Sequence, residues 1–241
     1  KKLQGWWLNK MITTKSPLRE KMTLFWHNHF ATSLKKVKFL PFMLNQNILL
    51  RKYALLSFKD LLFEISKDPA MLIYLDSNKN IKKSPNENFA REVMELFTLG
   101  EGHYSEKDIK EVARAFTGWS FRKNNGEFKL KKRHHDREIK TIFGKKGKFN
   151  GDDVLEMLLK KKETAYFLTE KLWREFVNLN PPKAIITKLG DRFYKSNYDI
   201  LALLKEIFNN DEFYRSKGQL IKSPVELIVG TLRQFNIRPI S

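Results

Sequence analysis

The 241-residue sequence contains no cysteine. This absence excludes disulfide scaffolds, zinc sites with thiolate ligands, cysteine nucleophiles and cysteine-held iron–sulfur clusters. No apolar run approaches the ~20 residues of a membrane-spanning helix, because Lys or Arg interrupts every candidate. The sequence also lacks the Gly-x-Ser-x-Gly elbow, the Gly-x-Gly-x-x-Gly turn and the His-Glu-x-x-His helix. Since 41% of the residues are hydrophobic, a globular chain with a sizeable core is expected.

Acidic residues are scarce: 27 Asp and Glu stand against 46 Lys and Arg, which gives a formal net charge of +19. Such a charge suggests phosphate neutralisation and hence nucleic-acid binding. However, only twelve of the basic residues are arginines, and the lysines are spread along the chain. A groove for bidentate phosphate contacts would favour arginine. Binding of a polyanion such as nucleic acid is therefore kept as an alternative function and is not the favoured one.

Helical periodicity dominates the sequence, and several helix starts carry local capping signals. Ser105-Glu106-Lys107-Asp108 precedes an apolar stripe and predicts a helix start, whereas Ser84 with Glu87 and Ser223 with Glu226 predict capping boxes. Starts with proline at the first helical position lie at Ser16-Pro17, Asp68-Pro69, Ser84-Pro85 and Ser223-Pro224. Further helices are predicted over residues 42–56, 152–160, 163–177, 182–194, 199–208 and 224–235.

The helical period stops between residues 120 and 150. Apolar residues alternate there around Asn125-Gly126, which predicts a β-hairpin, and the following stretch is predicted to be irregular. We expect a single mainly α domain over residues 1–241: a multi-helix orthogonal bundle with a small β-hairpin and irregular insertion at 120–150. No signal sequence precedes Lys1, so the chain is expected to be a fragment of a longer protein.

Short stretches spread between Trp6 and Leu232 resemble, in this order, the bacterial domain-of-unknown-function family numbered 1800. They lie at residues 25–30, 68–72, 74–76, 85–92, 95–100, 113–119, 135–136, 171–173 and 222–226. The resemblance implies an exported protein, hence a periplasmic or extracellular location, with a sulfatase-like partner protein encoded nearby. It implies no established activity, cofactor or catalytic residue. Members tend to have glycine where this chain has Glu138.

The helix predicted to start at Ser84 contains a candidate catalytic group. Asn88, Glu92 and Glu95 share one side of that helix, and Glu92 is expected to be partly buried. Neighbouring carboxylates in such a position need a cation, a proton or a metal, which makes them candidate acid–base groups or oxygen ligands. Arg91 is a further candidate of this group. The structural alternative pairs Arg91 with Glu95 four residues on.

Histidines supply the candidate metal ligands. His27 and His29 point about 160° apart on a helix, so both can bind one ion only if the helix ends or bends there. A buried structural role is the alternative for each. His135 and Asp136 lie in the predicted insertion, where adjacent imidazole and carboxylate groups can bind metal or relay protons. The alternative for this pair is a solvated basic loop.

Three functions follow from these residues. The first is a metal-dependent enzyme, more a hydrolase than an oxygenase, in which Glu92, Glu95, His135, Asp136 and one of the two helical histidines gather around a divalent metal. The second is a non-catalytic envelope module that binds a partner protein or a surface polymer. The third is polyanion binding through the basic surface.

Overall fold

The computed structural model describes residues 2–237, so the ends of the predicted 1–241 domain lie outside the described residues. The described chain is mainly α with a small β insertion, as predicted, and the insertion contains two small two-stranded antiparallel sheets. Its helices are α1 (Lys2–Thr13), α2 (Pro17–His29), α3 (Leu34–Val37), α4 (Leu40–Tyr53), α5 (Phe58–Ser66), α6 (Pro69–Tyr74), α7 (Asn88–Glu95), α8 (Glu106–Ala115), α9 (Gly151–Leu159), α10 (Lys162–Phe176), α11 (Lys183–Lys195), α12 (Ile200–Phe208), α13 (Asp211–Arg215) and α14 (Pro224–Gln234). None of these helices is both long and apolar enough to cross a membrane.

Local capping chemistry sets several helix starts. The predicted helix start at Ser105 is confirmed, and a capping box forms there: the Ser105 side chain accepts the Asp108 N–H, and the Asp108 carboxylate accepts the Ser105 N–H. Ser223 and Glu226 form the same reciprocal box at α14. These contacts satisfy N–H groups that the first helical turn leaves free.

The predicted helix start and capping box at Ser84 are wrong, because α7 begins at Asn88 and has no side-chain cap. The preceding segment instead makes one bond to a distant part of the chain and two local ones. Lys82 donates its backbone N–H to the carbonyl of His134 at 2.8 Å, and Ser84 donates to the carbonyl of Ile81 at 2.9 Å. The Asn86 side chain accepts the Asn88 N–H at 2.9 Å. Long-range backbone pairing therefore outweighs the local Ser-Pro signal.

The insertion consists of two hairpins. Strands β1 (Trp119–Phe121) and β2 (Phe128–Leu130) pair as the alternating pattern predicts, and Gly126 in their loop has a left-handed φ of 76°. Strands β3 (Lys140–Ile142) and β4 (Lys145–Gly147) form a second hairpin in the stretch predicted to be irregular. β3 packs along α8, which holds the insertion against the helical body.

One large apolar core joins α2 and α4–α12. Its largest fully buried aromatic side chains are Trp26, Phe30, Phe58, Phe89, Phe116, Trp173 and Phe193. Trp119 of β1 packs edge-on against Phe116 at the end of α8, with ring centroids 4.8 Å apart. The core therefore extends under the insertion and gives its loops a rigid base.

Candidate functional site

The two helical histidines occupy different environments, as the helical geometry of α2 predicts. His29 is buried among aromatic side chains, and its Nε2 lies 3.1 Å from the carbonyl oxygen of Phe97. Its Nδ1 has no hydrogen-bond partner in the described chain. Burial holds the pKa of His29 well below its usual value of 6.5, with the Lys171 charge acting in the same direction. His27 is half-buried, packs edge-on against Trp7, and burial lowers its pKa as well.

The α7 side chains are held by partners near the surface. Arg91 makes two hydrogen bonds of 2.9 Å to Glu106 at the start of α8, so the expected pairing of Arg91 with Glu95 is wrong. The Glu95 carboxylate instead accepts the hydroxyl of Tyr104 at 2.5 Å. Arg91 turns to α8 because a bidentate carboxylate is available there.

Glu92 and Asn88 differ in exposure. Glu92 is half-buried, as expected, and burial followed by the charge of Glu95 raises its pKa. Asn88 is exposed at the first position of α7. A catalytic role for these two residues, and for Arg91 and Glu95, stays a prediction.

The predicted side chains do not converge on one metal centre. Across residues 2–237, no group of three or more His, Cys, Asp or Glu side chains is arranged to hold a metal ion. His29 is engaged with a backbone carbonyl, Glu95 with a tyrosine and Asp136 with an arginine. These local partners occupy the groups that a shared ion would need.

His135 and Asp136, in contrast, form an ordered site with residues from the end of α8. The Nδ1–H of His135 donates to the carbonyl oxygen of Thr117 at 2.9 Å, which leaves Nε2 as the free ring nitrogen. The Thr117 hydroxyl accepts the backbone N–H of Asp136 at 2.8 Å. One threonine therefore holds both residues of the pair.

Two cations fix the carboxylate and backbone of Asp136. Arg114 donates to the two carboxylate oxygens over 2.8 and 3.3 Å, and this ion pair holds the pKa of Asp136 below its usual value against the opposing effect of burial. The side chain of Lys140 has no exposed surface. Its Nζ donates to the carbonyl oxygens of Asp136 and Glu138 at 2.7 and 3.0 Å. The buried ammonium thus closes residues 136–140 into a fixed loop.

Gly118 lets this loop approach the end of α8. Its φ is +83°, and a Cβ at this position would lie 2.8 Å from the carbonyl oxygen of Lys131 and 3.0 Å from the backbone nitrogen of His135. Any side chain here would both strain the backbone and displace the loop. Glu138, at the position where the resemblance implies glycine, does not have a left-handed φ, so the backbone accepts its side chain.

The loop borders a surface pocket of about 530 Å³. The lining residues are Lys82, Lys132, Arg133, His135, Asp136, Arg137 and Glu138. Four of these side chains are cationic, and of the two carboxylates Asp136 is already paired with Arg114. The pocket therefore presents a net positive charge around a histidine of defined orientation. Glu92 and Glu95 do not line it.

Sequence reasoning missed the residues that build this site. Arg114, Thr117 and Gly118 all lie in the 113–119 stretch that carries the family resemblance, and each contacts the His135 loop. The location of all three residues in a stretch that resembles the family could have identified them as candidates. Lys140 and Lys82 had no signal, because each takes its role from contacts made across the fold.

A second cavity, of about 920 Å³, lies between α1, α2, α3 and α4. It is lined by Leu3, Gln4, Trp6, Trp7, His27, Thr32, Ser33, Leu34, Lys35, Lys38, Leu40, Met43 and Asn47. His27 is thus a cavity residue, whereas His29, two positions later, belongs to the core.

Comparison with known proteins agrees with the resemblance that the short stretches carry. No match was found among functionally curated proteins or among solved structures. The model of one family, described as "Protein of unknown function (DUF1800)", matches residues 1–241, the whole chain. The chain belongs to the DUF1800 family.

Proposed function

We propose that the pocket around His135 binds the anionic groups of a polymer, and that this binding is the function of the protein. The observation that carries the proposal is the fixed His135–Thr117 contact inside a pocket lined by four cations. Sulfate, phosphate and carboxylate groups are the ligands that such a pocket attracts.

The order of the site supports specific binding over a general surface charge. Thr117, Arg114 and Lys140 fix the loop by short hydrogen bonds, so binding does not have to order it. A ligand that meets a preorganised site loses less free energy to ordering than one that meets a mobile basic loop.

The chemistry of the lining favours a charged polysaccharide over nucleic acid. Proteins that bind single strands stack the bases on aromatic side chains. No Phe, Tyr or Trp side chain lines this pocket in the described chain. The family resemblance implies export, and an anionic polymer of the cell envelope is the ligand available at a periplasmic or extracellular location. Association with the implied sulfatase-like partner stays a prediction.

Hydrolysis at the same pocket is the second candidate function. An imidazole whose Nδ1–H is held by a backbone carbonyl presents Nε2 for proton transfer or for a metal ion. His135 Nε2 would supply one donor of a divalent metal site, because Arg114 already holds the Asp136 carboxylate, and water and substrate would have to supply the others.

Binding to sulfated polysaccharide tests the proposal. Heparin, polyphosphate and a single-stranded oligonucleotide are titrated against the protein by calorimetry at two salt concentrations. The double variant Lys82→Gln/Lys132→Gln removes two charges from the pocket, and Lys183→Gln/Lys188→Gln removes two exposed charges from α11. We expect the pocket variant to weaken heparin binding about tenfold and the α11 variant to change it little.

Equal losses in the two variants would show that the polymer responds only to total charge, and the proposal would fail. His135→Asn adds a second comparison, because the amide can donate to Thr117 in place of Nδ1 but provides no equivalent of Nε2. For the second candidate, phosphate and sulfate ester hydrolysis is measured with Mn²⁺ or Zn²⁺ added. Turnover that His135→Asn leaves unchanged would exclude His135 from that chemistry.

A further inference from the structure

We infer that the cavity between α1 and α4 binds an amphipathic anion, a long-chain carboxylate whose acyl chain lies among the tryptophans and whose headgroup lies at Lys35 and Lys38. This cavity is separate from the His135 pocket, and the two share no lining residue. The inference therefore does not depend on the proposed function.

The size and lining of the cavity suit an acyl chain. Its volume of about 920 Å³ falls in the range of small-molecule sites, which are mostly apolar with a few polar groups. Trp6, Trp7, Leu40 and Met43 supply most of the hydrophobic wall. A methionine adapts its shape to a flexible chain because its side chain is unbranched.

Charge complementarity identifies the headgroup. No carboxylate lines the cavity within residues 2–237, and its charged lining side chains are Lys35 and Lys38 on either end of the short helix α3. Both lysines are exposed, so their ammonium groups can reach the cavity entrance at little cost. His27 adds no positive charge near neutral pH, because burial lowers its pKa. An anion is therefore favoured at the entrance over a cation.

Polar groups inside the cavity leave few alternatives to an apolar chain. Asn47 accepts Arg51 Nη1 at 2.7 Å, and the Thr32 hydroxyl donates to Gln46 at 2.5 Å. The lining hydrogen-bonding groups are thus partly occupied within the protein. A sugar, which needs many hydrogen bonds, is a poorer match than a hydrocarbon chain.

Titration with ligands of one chain length tests the inference. Dodecanoate, dodecyltrimethylammonium and dodecyl maltoside, each below its micelle concentration, are added to the full protein while tryptophan fluorescence and calorimetry are recorded. Trp6 and Trp7 line the cavity, whereas Trp26, Trp119 and Trp173 are buried elsewhere. We expect saturable dodecanoate binding with a fluorescence change and about tenfold weaker binding of the cationic ligand.

Lys35→Gln/Lys38→Gln is expected to remove the preference for the anion without lowering the melting temperature, and Lys183→Gln/Lys188→Gln is expected to retain it. No saturable binding, or equal binding of all three headgroups, would overturn the inference. Self-association of the protein that Leu40→Glu abolishes would assign the cavity to a second copy of the chain and would overturn it as well.

Discussion

The Nδ1 atom of His135 lies 2.9 Å from the carbonyl oxygen of Thr117, eighteen residues earlier in the chain. The same threonine accepts the N–H of Asp136 through its hydroxyl and donates that hydroxyl to the carbonyl of Arg114 at 2.6 Å. Its backbone thus orients a histidine while its side chain anchors the next residue to the end of α8. Disturbing the hydroxyl is expected to move both members of the pair.

Thr117→Val is expected to destabilise the protein by about 1–3 kcal/mol, since the partly buried N–H of Asp136 loses its acceptor with little change in shape. Thr117→Ser keeps the hydroxyl and should cost only about 1 kcal/mol for the lost methyl group. Urea unfolding measures both. A valine variant as stable as the serine variant would contradict the anchoring role of the hydroxyl.

Gly118→Ala is expected to cost about 2–4 kcal/mol, because the new Cβ meets both a left-handed backbone and the Lys131 carbonyl. Gly102 provides the matched control, with φ +84° and no atom within 4 Å of the position that a Cβ would take. Gly102→Ala should lose only about 1 kcal/mol from the backbone conformation. Equal losses in denaturant unfolding would show that the close approach of the loop contributes nothing.

Lys140→Met is expected to destabilise the protein by about 1–3 kcal/mol, because two carbonyl oxygens lose their donor. Lys146→Met, on the adjacent strand β4 and exposed, is the control and should change stability by less than about 0.5 kcal/mol. Thermal unfolding compares the two. If both variants have the melting temperature of the wild-type protein, the hydrogen bonds of Lys140 do not stabilise the loop.

His29 makes the fold sensitive to acid. Its pKa lies well below 6.5 in the folded protein, so below about pH 6.5 the unfolded chain binds a proton that the folded chain does not. The free energy of unfolding should therefore fall as the pH drops from 7 to 5, by at most about 1.4 kcal/mol per pH unit for this group. The His29→Leu variant lacks this contribution. If its free energy of unfolding, measured in urea between pH 5 and pH 7, varies with pH as in the wild type, the role of His29 is refuted.

Asp68 acts in the opposite direction. Burial raises its pKa to about 7, although the Met71 N–H and the Gln46 amide both donate to its Oδ1. Between about pH 4 and pH 7 the folded protein holds a proton that the unfolded chain has lost, so this contribution to stability decreases as the pH rises. Asp68→Asn keeps an oxygen acceptor and cannot ionise. We expect the free energy of unfolding of the variant to rise above that of the wild type between pH 5 and pH 8, by roughly 4 kcal/mol at most. If the two proteins show parallel curves of unfolding free energy against pH, the raised pKa of Asp68 is contradicted.

Local signals in the sequence predict local structure well. The capping box at Ser223 and the helix start at Ser105 were predictable because the residues that form each of them lie within four positions of one another. The divergence of His27 and His29 followed from helix geometry, since α2 continues through both residues. The β1–β2 hairpin was predictable because Asn125-Gly126 is a residue pair that favours a tight turn between strands.

Contacts between distant segments were not predictable in the same way. Ser84 carries a cap signal, but pairing of Lys82 with His134 takes the chain along another path. Arg91 had a carboxylate four residues away and pairs instead with Glu106 of the next helix. The β3–β4 hairpin turns at Phe143-Gly144, where a bulky residue occupies a left-handed position that sequence patterns rarely assign to it.

Lys140 provides the loop of the His135 site with a positive centre that is covalently part of the chain. In many proteins a dissociable cation gathers carbonyl and carboxylate oxygens, and the loop becomes disordered when a chelator removes that cation. Here the ammonium group that bonds the carbonyls of Asp136 and Glu138 cannot leave. The shape of this loop should accordingly be indifferent to changes in the ions around the protein, so that ligand capture there would vary with salt only through screening.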